Sequence, residues 1–304
     1  MTQKTNRFVF QLPRHWWQIL LLLLISMAAI LAYAQTTRRG EFQLTLVDRE
    51  GHRTLVGGIP NSTFAPRVSP DGNEVIYDTQ EDGQLWIAKL SNLASRRQLT
   101  SGGSNRGEIW SGDGKRILYI TDDGNQEALF WSAADGTGKP ELLQKPVRAA
   151  ESWSPLEPGV SFITLQPGGD YDIWTYSIAA KRAMPFYGVP GSAQHSSHYS
   201  PDGHWIAYAS AESGRLEIYV RPFPAGTPAV QVTHAGGEHP LWSPDQKEIY
   251  FDVNHQLYAV PIQIQPTFRA GSPVQLPISG FIQGPLRRQY DLMPDGKHFL
   301  MMFQ

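Results

Sequence analysis

Short runs of apolar residues alternate with Gly-rich turns along most of the chain. Residues 117–120, ILYI, lie between the turns GDGK and DDGN, and β-branched and aromatic side chains dominate such runs. This length and composition are typical of β-strands. A helical solenoid is the competing interpretation, but the short runs and frequent turns favour strands.

One short pattern is repeated. YSPDGHWIAYAS at 199–210 has close variants at 68–79, 110–121 and 242–253. The second residue of the pattern aligns six copies, which are marked by Ser69, Ser111, Ser154, Ser200, Ser243 and Met293. These marker residues lie 42 to 50 positions apart. A period of roughly 40 to 50 residues is typical of propeller blades with four strands each.

Each copy contains the signals of four strands. Ser-Pro-Asp-Gly predicts a tight turn between the first two, because Pro presets one central position and Gly accepts the positive φ that follows. An aromatic third strand and a weaker fourth strand come next. The copy at 153–164, WSPLEPGVSFIT, lacks the Asp-Gly pair. We therefore expect a different loop there.

The two ends of the repeated region are half-units. The sixth copy, from Tyr290, supplies two strands, whereas residues 40–57 have the pattern of a third and a fourth strand. If these halves pair, the ring closes at six blades and leaves no open sheet edge. We predict an all-β, six-bladed β-propeller of four-stranded blades, with the last blade closed by the N-terminal strands.

The first residues have a different pattern. Lys4, Arg7 and Arg14 precede a mostly apolar run that ends in Ala-Tyr-Ala at 32–34. A basic flank, an apolar core and a small-x-small end are typical of a secretory signal peptide. The same segment also suits an uncleaved membrane anchor, since about 18 apolar residues is near the lower limit for spanning a bilayer.

Both interpretations of this N-terminal helix place the rest of the chain outside the cytoplasm. We expect a periplasmic or extracellular protein, anchored in the inner membrane by residues 16–34 if the segment is not cleaved. The predicted domains are a signal peptide or anchor at 1–34, a linker at 35–39 and the propeller at 40–304.

Composition excludes several functions. The 26 Lys and Arg against 28 Asp and Glu give a formal net charge of −2, without the clustered basic surplus of nucleic-acid-binding proteins. The chain has no cysteine, which excludes disulfides, thiolate metal sites and cysteine nucleophiles. The common motifs of hydrolases, zinc proteases and phosphate-binding loops do not occur. Nucleic acid is thus not an expected partner, and no cofactor is predicted.

The motif W-S-P-D-G-x-x-I-x-Y, followed by LW or IY strands and a QLT strand, resembles the TolB-like six-bladed propeller repeat across residues 40–304. Residues 218–301 are also similar to the propeller sensor domains of bacterial receptor kinases, although no kinase is present. The resemblance implies a non-enzymatic module that binds a protein, peptide or envelope component, and we expect a monomer. Because the motif lies in turns and packing positions, it is specific for the fold and not for a function.

A candidate binding site follows from the repeat alignment. The residues ahead of each innermost strand are expected to be loop residues around the central opening, and there the chain is polar and does not repeat. The predicted ligand-binding set is Arg106, His195, Glu238, His239 and Arg288. Variation at one position of a repetitive scaffold is what a binding site would produce.

Four histidines support an alternative function. They cluster around the fourth and fifth copies, at His195, His198, His234 and His239. Some enzymes with related propellers hold a divalent metal on channel histidines, so a metal-dependent carbohydrate lyase or hydrolase remains open. The other interpretation makes them rim residues without a metal, and then no catalytic residue is predicted.

The export hypothesis predicts a defined N-terminus. If signal peptidase cuts after Ala34, N-terminal sequencing of the exported protein is expected to begin at Gln35. Recovery of intact Met1 in a membrane fraction would instead show an uncleaved anchor.

Overall fold

The computed structural model describes residues 41–60, 63–122, 124–224, 226, 228–284 and 286–304. The predicted signal peptide or anchor at 1–34 and the linker at 35–39 lie outside the described residues. Within them the chain forms 25 β-strands, and no helix has the length and hydropathy of a membrane span.

Six sheets form the blades of the predicted propeller, and all their strand pairs are antiparallel. In blades 1 to 5 the chain runs from the innermost strand outward. Blade 1 consists of β3 (Thr63–Val68), β4 (Glu74–Thr79), β5 (Leu85–Lys89) and β6 (Asn92–Gln98). Blade 2 consists of β7 (Ser104–Trp110), β8 (Arg116–Asp122), β9 (Glu127–Ala133) and β10 (Glu141–Gln144). Blade 3 consists of β11 (Ala149–Trp153), β12 (Gly159–Leu165), β13 (Tyr171–Ser177) and β14 (Arg182–Tyr187).

Blade 5 differs from the others in its outer part, where two strands pair with the third one. The strands of blades 4 and 5 are β15 (Gln194–Tyr199), β16 (Trp205–Ser210), β17 (Glu217–Pro222), β18 (Val230–Gln231); β19 (Glu238–Trp242), β20 (Glu248–Val253), β21 (Gln256–Gln263), β22 (Arg269–Ala270) and β23 (Val274–Ser279).

Blade 6 joins the two ends of the described chain. Its strands, from the channel outward, are β24 (Tyr290–Leu292), β25 (His298–Phe303), β1 (Glu41–Asp48) and β2 (Arg53–Pro60). In the pairing of β1 with β25, Leu44 lies opposite Met302 and Val47 opposite Phe299. The predicted closure by N-terminal strands is confirmed.

The motif serine and aspartate stabilise the turn between the first two strands of a blade. The serine Oγ donates to the aspartate Oδ1 at 2.5 to 2.7 Å in four blades, in the pairs Ser69–Asp71, Ser111–Asp113, Ser200–Asp202 and Ser243–Asp245. The same Oγ accepts a backbone N–H five residues later, at 2.9 to 3.0 Å. Repetition of the motif therefore repeats one hydrogen-bonded turn.

The third copy keeps the length of this turn without its side-chain bonds. Ser154 N donates to Gly159 O at 2.9 Å, the backbone bond that closes the turn in the other blades. With Leu156 at the aspartate position, the buried Ser154 Oγ has no hydrogen-bond partner among the described residues. The expected difference is thus confined to the interior of the loop.

Neighbouring blades are joined near the axis by hydrogen bonds from aromatic side chains. Trp110 Nε1 in blade 2 donates to Arg67 O in blade 1 at 3.1 Å. Trp242 Nε1 in blade 5 donates to His198 O in blade 4 at 3.0 Å. Apolar side chains of adjacent blades pack against each other farther out. These contacts make each blade depend on its neighbours.

Ring closure predicts unequal costs for two leucines of blade 6. Leu44 on β1 is fully buried against blade 1, whereas Leu55 on β2 is 61% exposed. Leu44→Ala is expected to lower the free energy of unfolding by about 3 kcal/mol, because it removes buried contacts and leaves a cavity. Leu55→Ala is the matched control, with an expected change of at most about 0.5 kcal/mol. Equal urea midpoints for the two variants would contradict the closure.

Candidate functional site

The innermost strands of blades 1 to 5 share one irregularity. Each of β3, β7, β11, β15 and β19 has a register shift against the second strand of its blade. Within three of the shifts a residue has a left-handed backbone, with φ of +68° at Gly107, +58° at Ser196 and +53° at His239. A β-bulge of this kind redirects side chains, and here it brings polar residues to the channel.

The channel interior narrows to a cavity of about 30 Å³. Its lining includes residues from all six blades, among them Arg67, Glu108, Glu151, Ser197, His239 and Arg288. A polar space of this volume fits a buried water molecule. It has no room for a larger ligand.

Two glutamates of the interior differ in their partners. Glu151 accepts hydrogen bonds from Ser197 N at 2.8 Å, from Ser196 N at 2.5 Å and from Ser197 Oγ. Burial nevertheless raises the pKa of Glu151 to about 7. Glu108 is 2% exposed, and neither of its carboxylate oxygens has a hydrogen-bond partner among the described residues. Burial and the nearby Asp78 carboxylate raise the pKa of Glu108 well above its usual range, which favours the neutral acid.

His239 is held by a buried carboxylate. Its Nδ1 lies 2.9 Å from Asp252 Oδ1, and both side chains are 1% exposed. Gln283 donates a further hydrogen bond to Asp252. The other ring nitrogen of His239, Nε2, is buried without a partner in the described structure and belongs to the wall of the small cavity. Asp252 therefore fixes the orientation of the ring.

A second polar network joins blades 1 and 6. Arg67 Nη1 donates to Arg288 O at 2.9 Å, and Arg288 Nη2 lies 3.0 Å from Asp291 Oδ1. The other oxygen of Asp291 accepts the Val68 N–H at 3.0 Å. Burial, and then the positive charge of Arg288, lower the pKa of Arg67 to about 10. These bonds connect the closing blade to the first blade at the axis.

The two ends of the channel have different walls. At the end where the innermost strands begin, a cavity of about 690 Å³ includes Arg106 and Arg287, and another of about 480 Å³ includes Glu238. Both include Gly284, so they share an edge. The opposite end has a cavity of about 430 Å³ whose lining includes Pro and Trp residues of the motif turns. We call the first end the strand-start mouth.

The structure separates the five predicted site residues. Arg106 and Glu238 lie at the strand-start mouth, in different cavities, whereas His239 and Arg288 line the small interior cavity. His195 is 3% exposed, with Nδ1 2.9 Å from Ser196 Oγ, and it lines none of these cavities.

The expectation that these five residues are loop residues is wrong for four of them. Arg106, His195, Glu238 and His239 belong to β7, β15 and β19. Arg288 precedes β24 and is 9% exposed. The innermost strands begin earlier than the motif alignment indicates, because the bulge adds length to each strand.

Sequence reasoning missed four channel residues. Arg67, Glu108 and Glu151 lie two or three positions before a motif serine, and Arg287 precedes the predicted Arg288. A usable signal was present for Arg67 and Glu151, since each is the one charged residue of a short strand. Such a residue requires a partner or a cavity.

Within the described residues, the four histidines do not come together as one group of ligand atoms. His234 is exposed, and His198 Nδ1 bonds to Tyr199 O at 2.9 Å. Within the described part of the chain, the one group of three His, Asp or Glu residues with ligand atoms close enough for an ion is Asp48, Glu50 and His52. That group lies around the turn between β1 and β2, far in sequence from the predicted ligands.

The burial of His195 predicts a pH-dependent stability. Burial, with His239 nearby, lowers the pKa of His195 from 6.5 to about 3. The stabilising contribution of the neutral ring is therefore complete above pH 6.5 and is lost as the pH falls toward 3, because the unfolded chain takes up the proton first. Its loss reaches about 2 kcal/mol by pH 5.

The measurement compares urea unfolding of wild type and His195→Gln at pH 7.5 and pH 5. The stability advantage of the wild type is expected to shrink at pH 5. His234→Gln, at an exposed histidine, is the control. An advantage over His195→Gln that stays constant between the two pH values would contradict the prediction.

Comparison with known proteins finds sequence relatives named TolB. The Tol-Pal system protein TolB of Anaeromyxobacter dehalogenans is 28% identical over 122 residues, which are 38% of this chain and 27% of that protein. The chain thus spans about a quarter of the length of this relative. No model of a known protein family matches the chain.

Solved structures show the same fold over most of the chain. A putative TolB from Agrobacterium tumefaciens has a TM-score of 0.69 at 19% identity, covering 87% of this chain and 98% of that one. An oligogalacturonate lyase in complex with manganese has a TM-score of 0.57 at 14% identity, covering 83% and 80%. Sequence and structure together show that this protein is similar to TolB and has the TolB-like six-bladed β-propeller fold.

Proposed function

We propose that this protein is an exported binding module for a protein or peptide of the cell envelope, with the strand-start mouth as its binding surface. Arg106 and Glu238 of the predicted site contact the partner there. His239 and Arg288 support the floor of the mouth from inside the channel, and His195 acts through packing. The protein works as a monomer without a cofactor.

The shape of the channel carries this proposal. Cavities of about 690 and 480 Å³ open at the strand-start mouth, whereas the interior below them measures about 30 Å³. Ligand pockets commonly have volumes of about 300 to 1,000 Å³. A partner can therefore occupy the mouth but cannot pass through the ring.

The comparisons agree with a binding role in the envelope. The Anaeromyxobacter relatives are named as proteins of the Tol-Pal system, a name that implies other components. The basic and apolar N-terminal segment supports export to the periplasm. If it is not cleaved, residues 16–34 anchor the propeller in the inner membrane.

The alternative of a carbohydrate lyase has less support. One structural neighbour is a lyase that binds manganese, but likeness at 14% identity concerns the fold. The four histidines do not fit a shared metal, because within the described structure His195, His198 and His234 do not converge with His239 on one point of the channel. No reaction step follows from these residues.

Site-specific photocrosslinking in the native envelope tests the binding surface. A crosslinking residue at Arg106 or Glu238 is expected to capture one partner, whereas the same residue at the exposed Leu55 or Val274 of the outer rim is the control. The double variant Arg106→Ala, Glu238→Ala is then expected to bind the purified partner at least about tenfold more weakly in calorimetry.

Two outcomes would contradict this proposal. Capture from the rim positions alone would place binding on the blade edges. A stoichiometric divalent metal in the purified protein, lost in the variant His195→Gln, His239→Gln, would favour the lyase.

A further inference from the structure

Three arginines converge on the larger cavity of the strand-start mouth. Arg106 lies in β7, Arg148 directly before β11 and Arg287 shortly before β24. Their side chains are 22%, 36% and 19% exposed. Each guanidinium group thus reaches solvent from a largely covered position, and the three come from different parts of the ring.

Two carboxylates hold these arginines in place. Glu127 Oε1 accepts hydrogen bonds from Arg106 and, at 2.9 Å, from Arg148. Asp78 Oδ2 lies 2.8 Å from Arg287 Nη1, and the Asp78 side chain is 5% exposed. Each bond uses one nitrogen of a guanidinium group that has five N–H donors. The arginines are therefore oriented and keep donors for a ligand.

The backbone of the bulge in β7 also positions Arg287. A Cβ atom at Gly107 would lie 3.3 Å from Arg287 Nη2, closer than ordinary contact. With φ of +68°, Gly107 also has a backbone that other residues rarely adopt. The guanidinium of Arg287 thus lies against bare backbone at the edge of the cavity.

The cavity has an excess of positive charge. Three guanidinium groups and two carboxylates, Glu127 and Asp78, line the cavity, so the lining has one more positive than negative side chain. Burial lowers the pKa of Arg106, and the charges of Arg287 and Arg148 lower it more than Asp122 and Asp78 raise it. A ligand with one negative charge would balance the excess.

We propose that this cavity binds a carboxylate group of the partner, an inference that rests on the proposed function. The planar fork of an arginine matches a carboxylate with two parallel hydrogen bonds. A single carboxylate neutralises the cavity, whereas a phosphate dianion would make it negative. The carboxylate belongs either to an Asp or Glu side chain or to the C-terminus of the partner peptide.

Small probes test this inference without the partner. The exported protein is titrated with N-acetylglutamate amide, which carries a side-chain carboxylate, and with N-acetylalanine, which carries a terminal one. N-acetylglutamine amide is the neutral match of the first probe, and inorganic phosphate is the dianionic comparison. Binding is followed by NMR on the arginine Nε–H signals.

The variant Arg148→Gln provides the matched test, because Arg148 is the most exposed of the three arginines. It is expected to weaken carboxylate binding about fivefold or more, since a charged hydrogen-bond donor is lost. Arg182→Gln removes an exposed arginine of β14 and is expected to leave binding unchanged. The tighter of the two carboxylate probes identifies the source of the group.

Three results would overturn the inference: equal binding of the glutamate and glutamine probes, unchanged binding in Arg148→Gln, or phosphate binding tighter than both carboxylates. Failure here is distinct from failure of the proposed function. If a partner is crosslinked from the mouth but no carboxylate probe binds, this inference fails and the proposed function stands. If carboxylate probes bind but a partner is captured only from the rim positions, only the proposed function is contradicted.

Discussion

The pairing of β1 with β25 is the contact on which the whole molecule depends. A four-stranded blade buries its apolar faces only when a blade stands on each side of it. β1 completes blade 6 and is covered on both faces, with Leu44 packed toward blade 1 and Val47 toward blade 5. Without this strand, blade 6 would lose its outer half and the first and last blades would expose their faces. The channel exists because the ring is closed.

Closure creates a crowded axis that is filled by polar groups. Six innermost strands approach one line, and the bulges of the first five blades lie where Arg67, Glu108, Glu151 and His239 line one small cavity. Buried charges are costly unless they are paired or neutralised. Both solutions occur here. Asp252 pairs with His239, and burial favours the neutral form of Glu108. Polar side chains of all six blades thus line the interior of the channel.

The sequence predicted the features that depend on local chemistry. The Ser-Asp turn is a bond between residues two positions apart, so its repetition is visible in the chain, and the half-units at both ends indicated the closing blade. The sequence pattern did not predict the bulges in the innermost strands. The bulge in β15 places Ser197 in the lining of the small cavity, where its N–H donates to Glu151 of the neighbouring blade, whereas His195 lies outside that lining. Such contacts join residues more than 40 positions apart, beyond the reach of a repeat alignment.

The same distinction explains why binding is expected at one end of the channel. At the motif-turn end four blades share the serine Oγ and backbone bonds that hold the first hairpin, and the wall of Pro and Trp residues follows from that repeat. A change there disturbs a turn. At the strand-start mouth, Arg106 in blade 2 and Glu238 in blade 5 occupy comparable positions, each directly before the bulge of its strand, with opposite charge. The charge around this opening is therefore uneven, and in the proposed function this asymmetry would give a partner one preferred orientation.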